Sequence, residues 1–259
     1  MEELSKYNAD GTVLRDAQLR MLEILRVVDT ILTKHDIVYY LDGGTLLGAV
    51  RHGGFIPWDD DLDISVRRED YSKIRTILQQ ELPSDYVFQD RTTDKNYPLL
   101  IGKVRDLHSY FEDDISAKLH YKGIYIDIIP MEKIPSMWWK GKLDYLYGHC
   151  VRAIHNYTTT SDKVLSCIIF PIVWLLVKIT RFVNIFVPSD HVADVYGWRP
   201  TGGYFKKDVF PVKRMKFEGI EVCVPNNPDA VLRALFGDYM QIPPKEKRAI
   251  HTKRIEFYD

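Results

Sequence analysis

Leu41–Asp63, LDGGTLLGAVRHGGFIPWDDDLD, places a glycine pair after a short apolar run and closes on four carboxylates, Asp59, Asp60, Asp61 and Asp63. The chain then alternates as Asp61-Leu62-Asp63-Ile64-Ser65-Val66. Successive side chains of a strand point to opposite faces, so Leu62, Ile64 and Val66 share one face and Asp61, Asp63 and Ser65 the other. Two carboxylates on one face of a buried strand repel each other, and burying them is costly unless a cation neutralises them. Hard oxygen donors at this spacing suit Mg2+ or Mn2+, ions that accompany phosphates. Gly43-Gly44-Thr45 reads as a turn whose backbone N–H groups cradle a phosphate. The stretch therefore predicts a metal-dependent enzyme acting on a phosphate ester. A solvated acidic loop after Trp58 is the bland alternative, and the alternation that follows argues against it. An EF-hand fails, because the sixth loop position counted from Asp59 is Ile64, where glycine is required.

Working outward, Leu19, Leu22, Leu25, Val28 and Leu32 predict an amphipathic helix from about Asp16 to Lys34. Ile37–Leu41 reads as a strand. Downstream, Tyr71, Ile74, Leu78 and Leu82 mark a second helix, stopped by Pro83. Ile101–Arg105 predicts a strand with Lys103 and Arg105 on one face. Ile124, Ile126 and Ile128 alternate with Tyr125, Asp127 and Ile129 in another strand, closed by Pro130. Lys213–Pro225 predicts a hairpin turning near Glu218-Gly219. Asn227-Pro228-Asp229 starts a short helix, Ala230–Phe236, that stops at Gly237. The order predicts an α/β chain, mixed α+β, with a mixed sheet flanked by helices and a helical, partly hydrophobic insertion. Three regions follow: a catalytic core over 1–135, the insertion over 136–204, and a C-terminal hairpin and helix over 205–259 that pack back on the core.

Val164–Val177 runs 14 residues without a charge. A membrane span needs roughly 20 apolar residues. The run therefore reads as a buried core helix bent near Pro171, or as a segment docking on a membrane surface with Lys163, Lys178 and Arg181 beside it. It becomes a span only if Ile179–Val187 joins it across the charges.

Composition excludes more than it identifies. At 259 residues and 46% hydrophobic, the chain can bury a full core. A net charge of −1 argues against a nucleic-acid partner. Cys150, Cys167 and Cys223 are too few and too scattered for a disulfide framework or a CxxC zinc site. The polar start MEELSKYNADG lacks a signal-peptide core, which predicts a cytoplasmic location.

Phosphoryl transfer needs charge neutralisation, in-line positioning and a route for the nucleophile's proton. Asp61 and Asp63 are the candidate ligands for one or two divalent ions, and Asp127, flanked by isoleucines on its strand, is the candidate third carboxylate. Alone, Asp127 is a weak signal, and a turn or ion-pair residue is its alternative. Gly43, Gly44, Thr45, Arg51, His52, Lys103 and Arg105 are candidate substrate-binding residues. Their alternatives are a plain turn, a surface histidine and a solvated basic face. Neither a GxxxxGK[ST] phosphate loop nor a GxSxG elbow occurs.

The Gly-Gly-Thr turn, Asp61-Leu62-Asp63 and the later Asp127 resemble the nucleotidyltransferase superfamily typified by DNA polymerase beta. More specifically, Leu41–Ile64 closely resembles the signature of the LicD family, which includes bacterial choline-phosphate transferases and fukutin-type proteins. The likeness extends through YIDIIP, Tyr125–Pro130, and resumes at VPNNPDAVLRALFGDYMQIPP, Val224–Pro244. The resemblance implies a nucleotidyltransferase-like sheet and an enzyme that moves a phospho-alcohol from a cytidine-diphosphate (CDP) alcohol to a glycan hydroxyl, releasing CMP. It implies Mg2+ on Asp61 and Asp63, with Asp127 as the third acidic residue. The acceptor would be a cell-surface or lipid-linked glycan, met at the inner face of a membrane. The competing readings are a nucleotidyltransferase releasing pyrophosphate, a DxD-type glycosyltransferase, and an inert binding protein that kept the fold. A choline head group would call for aromatic faces, with Trp58, Trp138, Trp139 and Trp198 as the candidates.

Overall fold

The computed structural model describes residues 4–113, 116–156, 160–198, 203–248 and 250–258. Its main helices are α1 (Val13–Lys34), α2 (Gly43–His52), α3 (Tyr71–Glu81), α4 (Met137–Asn156), α5 (Thr160–Phe186), α6 (Lys206–Val209) and α7 (Pro228–Phe236). The strands are β1 (Tyr39–Leu41), β2 (Asp63–Arg67), β3 (Tyr86–Gln89), β4 (Gly102–Asp106), β5 (Ser109–Glu112), β6 (Tyr125–Lys133), β7 (His191–Asp194), β8 (Tyr204–Phe205), β9 (Lys213–Phe217), β10 (Ile220–Val224) and β11 (Arg254–Phe257). One mixed sheet runs β1-β2-β6-β4-β3, with β7 on β6 and β8 on β7. Two-stranded ribbons, β9–β10 and β5–β11, complete it. The expected mixed α/β architecture is what forms.

The core explains the elements. α1 starts when the Thr12 side chain accepts the Arg15 N–H, and it buries Met21, Leu25, Val28 and Leu32. Leu19, expected on that stripe, is exposed, and Gln18 takes the inward position and donates to the Asp59 carbonyl at 2.8 Å. That bond fixes the loop carrying the carboxylates. Leu62, just before β2, and Ile64 and Val66 on it enter the main core beside Ile126 and Ile128 of β6, as the alternation predicted.

β6 does not stop at Pro130 but continues to Lys133. Its N–H groups alternate in direction, and Asp127 donates toward β2, to the Leu62 carbonyl at 2.8 Å. Pro130 therefore directs its ring nitrogen to the other edge, in the gap between the last β4 pair, Gly102 with Ile128, and the first β7 pair, Met131 with Asp194. A missing donor costs nothing there.

Between β6 and β7, α4 and α5 pack on each other around Leu143, Tyr147, Val173 and Val177. The core reading of the apolar run holds for one face of α5. The opposite face is exposed. The Lys163 side chain lies outside the described residues. His191–Asp194 and Tyr204–Phe205 then return to the sheet. At the β9–β10 turn, Glu218 and Gly219 both adopt positive φ, 48° and 78°, the geometry whose twist suits a two-residue hairpin.

Candidate active site

Strand register assembles the site. β2 and β6 pair in parallel with Asp63 opposite Asp127, and β4 pairs with β6 so that Lys103 lies opposite the other flank of Asp127. Asp63, Asp127 and Lys103 therefore form one row across three neighbouring strands. Asp61 stands just before β2, its side chain 21% exposed. All four line a pocket of about 1050 Å3.

The row is short of positive charge. Lys103 Nζ donates to Asp127 Oδ1 at 2.6 Å, with both side chains buried, and sits 3.3 Å over the Tyr125 ring centre. Burial raises the Asp127 carboxyl and lowers the Lys103 ammonium, while their pairing opposes both shifts. Asp61 is pushed up to about 7, first by burial and then by the charge of Asp63; Asp127 and Asp60 add to it, and His251 counters it. A carboxyl so displaced marks a place where a cation would be favoured.

Among the described residues, no three His, Cys, Asp or Glu side chains group as a closed metal shell. The physical reason is visible at Asp127, whose Oδ1 already holds Lys103. What remains is Asp61 with Asp63, a pair of oxygen donors facing an open pocket. This fits Mg2+ or Mn2+, which commonly take one or two carboxylates and complete their coordination with water and phosphate.

Gly43-Gly44-Thr45 is not a free turn. It forms the first turn of α2. A Cβ on Gly44 would lie 2.8 Å from Asp59 Oδ2, so the absent side chain is what lets Asp59 lie against the helix N-terminus. Thr45 is buried, and its hydroxyl accepts the Asp63 N–H at 2.9 Å, fixing the start of β2. Of the three, only Gly44 lines the pocket.

The expected basic residues separate. Arg51 lines the pocket, and its Nη1 donates to the Tyr239 carbonyl at 2.8 Å. His52 accepts from Arg51 Nε at 3.0 Å and lines a different cleft, beside Arg15 and Glu218. Arg105 is fully buried and away from the pocket. Its Nε and Nη1 donate to Gln89 and to the Gly123 carbonyl, so it braces the sheet, and its charge still reaches Asp127 and holds that carboxyl down. The strand Gly102–Asp106 is buried on both faces, which is why the expected basic face is not solvated.

The opposite wall was not foreseen. Tyr239–Arg248 and Ile250–Lys253 contribute the wall facing the carboxylates and are pinned at three points. Arg51 holds the Tyr239 carbonyl. Arg248 stacks 4.3 Å from the Trp58 ring centre and donates to Tyr7 at 2.7 Å. Asp60, fully buried, accepts the backbone N–H groups of His251 and Thr252 at 2.9 and 2.6 Å, and the His251 ring at 2.9 Å. The ring's hydrogen bond to Asp60, helped by the charges of Asp61, Asp60 and Asp59 and opposed by burial, pushes the His251 imidazole up to about 9. Of the four tryptophans considered for a head group, Trp58 and Trp198 line the pocket, whereas Trp138 and Trp139 lie on α4, away from it.

Residues 36–158 match the model of the LicD/FKTN/FKRP nucleotidyltransferase domain. Over 92% of its length the chain is 28% identical to the lipopolysaccharide cholinephosphotransferase LicD of Haemophilus influenzae, covering 95% of that protein. Together these matches support membership of the LicD family. It is also 42% identical to an uncharacterised protein of Rickettsia prowazekii over 63% of the chain and 54% of that protein. To the ribitol 5-phosphate transferase FKRP of Mus musculus it is 48% identical over 30% of the chain, 16% of that protein. The LicD match spans both the Asp61–Asp63 segment and Asp127, whereas the C-terminal wall lies beyond it. No periodic pattern announces that wall; the one signal in it was the run Val224–Pro244, whose Tyr239, Gln241 and Pro243 line the pocket.

Proposed function

We propose that this LicD-family phosphotransferase moves a phospho-alcohol from a CDP-alcohol to a hydroxyl of a glycan and releases CMP. The observation that carries the reading is the row Asp63–Asp127–Lys103 with Asp61 at its edge, facing one pocket large enough for a nucleotide and a sugar. The hydroxyl oxygen forms a bond to the phosphorus that bears the alcohol. The bridging oxygen leaves with CMP, and the proton passes from the hydroxyl toward Asp127. Burial raises the Asp127 carboxyl, which favours proton capture, while Lys103 fixes its orientation and limits the rise. A Mg2+ or Mn2+ ion on Asp61 and Asp63 would neutralise phosphate charge. Arg51 and Arg248 bring positive charge to the pocket wall, where phosphate oxygens are to be held.

Relatives named for cholinephosphate and ribitol 5-phosphate transfer support the general class, in which a phospho-alcohol is attached to a surface glycan. On this reading the enzyme works in the cytoplasm, at the inner face of the membrane. The decisive experiment incubates the purified protein with Mg2+ and a series of CDP-alcohols carrying choline, ribitol, glycerol or ethanolamine, and follows CMP. CMP release with one donor, dependent on the divalent ion and on a glycan acceptor, is the expected result. Pyrophosphate release from CTP without CMP would replace the proposal with nucleotidyl transfer.

A further inference from the structure

The outer face of α5 is built for an environment other than water. Ile168, Ile172, Leu175, Ile179, Phe182 and Phe186 recur at spacings of four and three and are all exposed, Phe182 at 63%. Such a stripe ordinarily turns toward a core. Here the core is on the other side, where Val173, Val177 and Thr180 are buried against α4. Cys167–Phe186 is long and apolar enough to cross a membrane. A crossing would nevertheless tear the helix from the protein. Arg181 Nε pairs with Glu132 at 2.8 Å, and Asn184 donates to the Lys133 carbonyl at 3.0 Å, tying the C-terminal half of α5 to β6.

Charge selects the occupant. Among the described residues of α4 and α5, the exposed charged side chains are Lys142 and Lys178, and no carboxylate is exposed. Asp144 is buried against Lys140. Lys178 lies 3.7 Å from the Trp174 ring centre, and Lys142 5.6 Å from that of Trp138, which is 71% exposed. Tryptophan and lysine at the margin of an apolar stripe suit the boundary between acyl chains and anionic head groups. A second copy of the chain pairing on this face would bring like charges together, with no exposed carboxylate among the described residues of α4 and α5 to answer them.

We infer that α5 lies flat in the surface of an anionic bilayer, its apolar stripe among the acyl chains and Lys142 and Lys178 at the head groups. The inference extends the transferase reading, on which the acceptor would be a lipid-anchored glycan. Leu99 belongs both to the pocket wall and to the apolar cluster under α4 and α5, so the lipid-facing layer adjoins the site.

The test floats the full-length protein with vesicles of phosphatidylglycerol mixed with phosphatidylcholine, at low salt. The parent should float, and the Ile168→Ser/Ile172→Ser/Leu175→Ser variant should lose binding by about tenfold or more while keeping the parent's melting temperature. In the parent, lipids brominated in their acyl chains should quench tryptophan fluorescence, a readout that needs no variant. Failure of the parent to float, or equal flotation of the variant, overturns the inference. So does equal binding to pure phosphatidylcholine, which would remove the anionic surface. A lipid-indifferent dimer that the serine variant splits would overturn it in favour of self-association. CMP release with a water-soluble acceptor is read separately, so a dead enzyme that still floats counts against the transferase reading alone.

Discussion

Asp61 and Asp63 were legible as a pair because the apolar alternation around them fixes which way they face. Lys103 was legible as a cation, but its partnership with Asp127 was not, because that contact depends on the register of two strands. The partnership sharpens what substitution should do. Asp61→Asn or Asp63→Asn removes one negative charge from a site that has too many, so the fold should survive while CMP release falls by about 100-fold or more; near-normal turnover in either variant would exclude the metal assignment. Asp127→Ala would strand a buried ammonium, at a cost of about 3–5 kcal/mol, and would confuse chemistry with stability. Asp127→Asn is the cleaner probe, since the amide oxygen can still accept from Lys103 but cannot take a proton. Its turnover at saturating donor should fall by about 100-fold or more, with donor affinity by calorimetry retained. Loss of donor affinity with normal turnover would move Asp127 from the acceptor to the donor.

At the scale of elements, the hydrophobic period found α1, α3, the strands β1, β2, β4 and β6, and the β9–β10 hairpin; it did not find β3, β5, β7, β8 or β11. It misjudged Gly43-Gly44-Thr45, since a glycine pair is ordinarily a helix breaker; here Gly43 starts the helix at a positive φ of 55°, which favours glycine, and Asp59 lies where a Gly44 side chain would project. The C-terminal wall was hidden because irregular segments carry no period, and Asp60 was hidden among identical neighbours. Asp60→Ala should loosen the His251–Thr252 end of the wall, while the Arg51 and Arg248 contacts still hold the rest. The N–H groups of His251 and Thr252 should lose protection in hydrogen exchange, and urea unfolding should register a loss of about 1–3 kcal/mol. Unchanged exchange at those two amides would remove Asp60 as the anchor. The hairpin turn gives a contest of opposing effects. Glu218→Gly relieves a left-handed residue, worth about 1–2 kcal/mol. It also deletes a carboxylate that accepts from Arg15 at 2.9 Å and from the Phe55 N–H at 3.0 Å, bonds to a charged group worth about 1.5–3 kcal/mol each. The variant should therefore unfold at lower urea than the parent; a gain in stability would show that the turn strain dominates.

For the whole molecule, the fold class followed from the order of elements, whereas the position of each strand in the sheet did not. Parallel pairing of β2 with β6 joins segments separated by α3, β3, β4 and β5. Such a ladder closes a long loop before it gains any contact, so it forms slowly and late. The row Asp63–Asp127 is therefore expected to assemble only as folding nears completion. A ligand of this row binds the native state alone and should raise the melting temperature in step with its free concentration. In kinetic terms, occupancy of the row reports the completion of folding: in a refolding experiment, donor-binding competence should return no earlier than the slowest phase seen by tryptophan fluorescence, and an earlier return would mean that the two strands meet before the sheet around them is built.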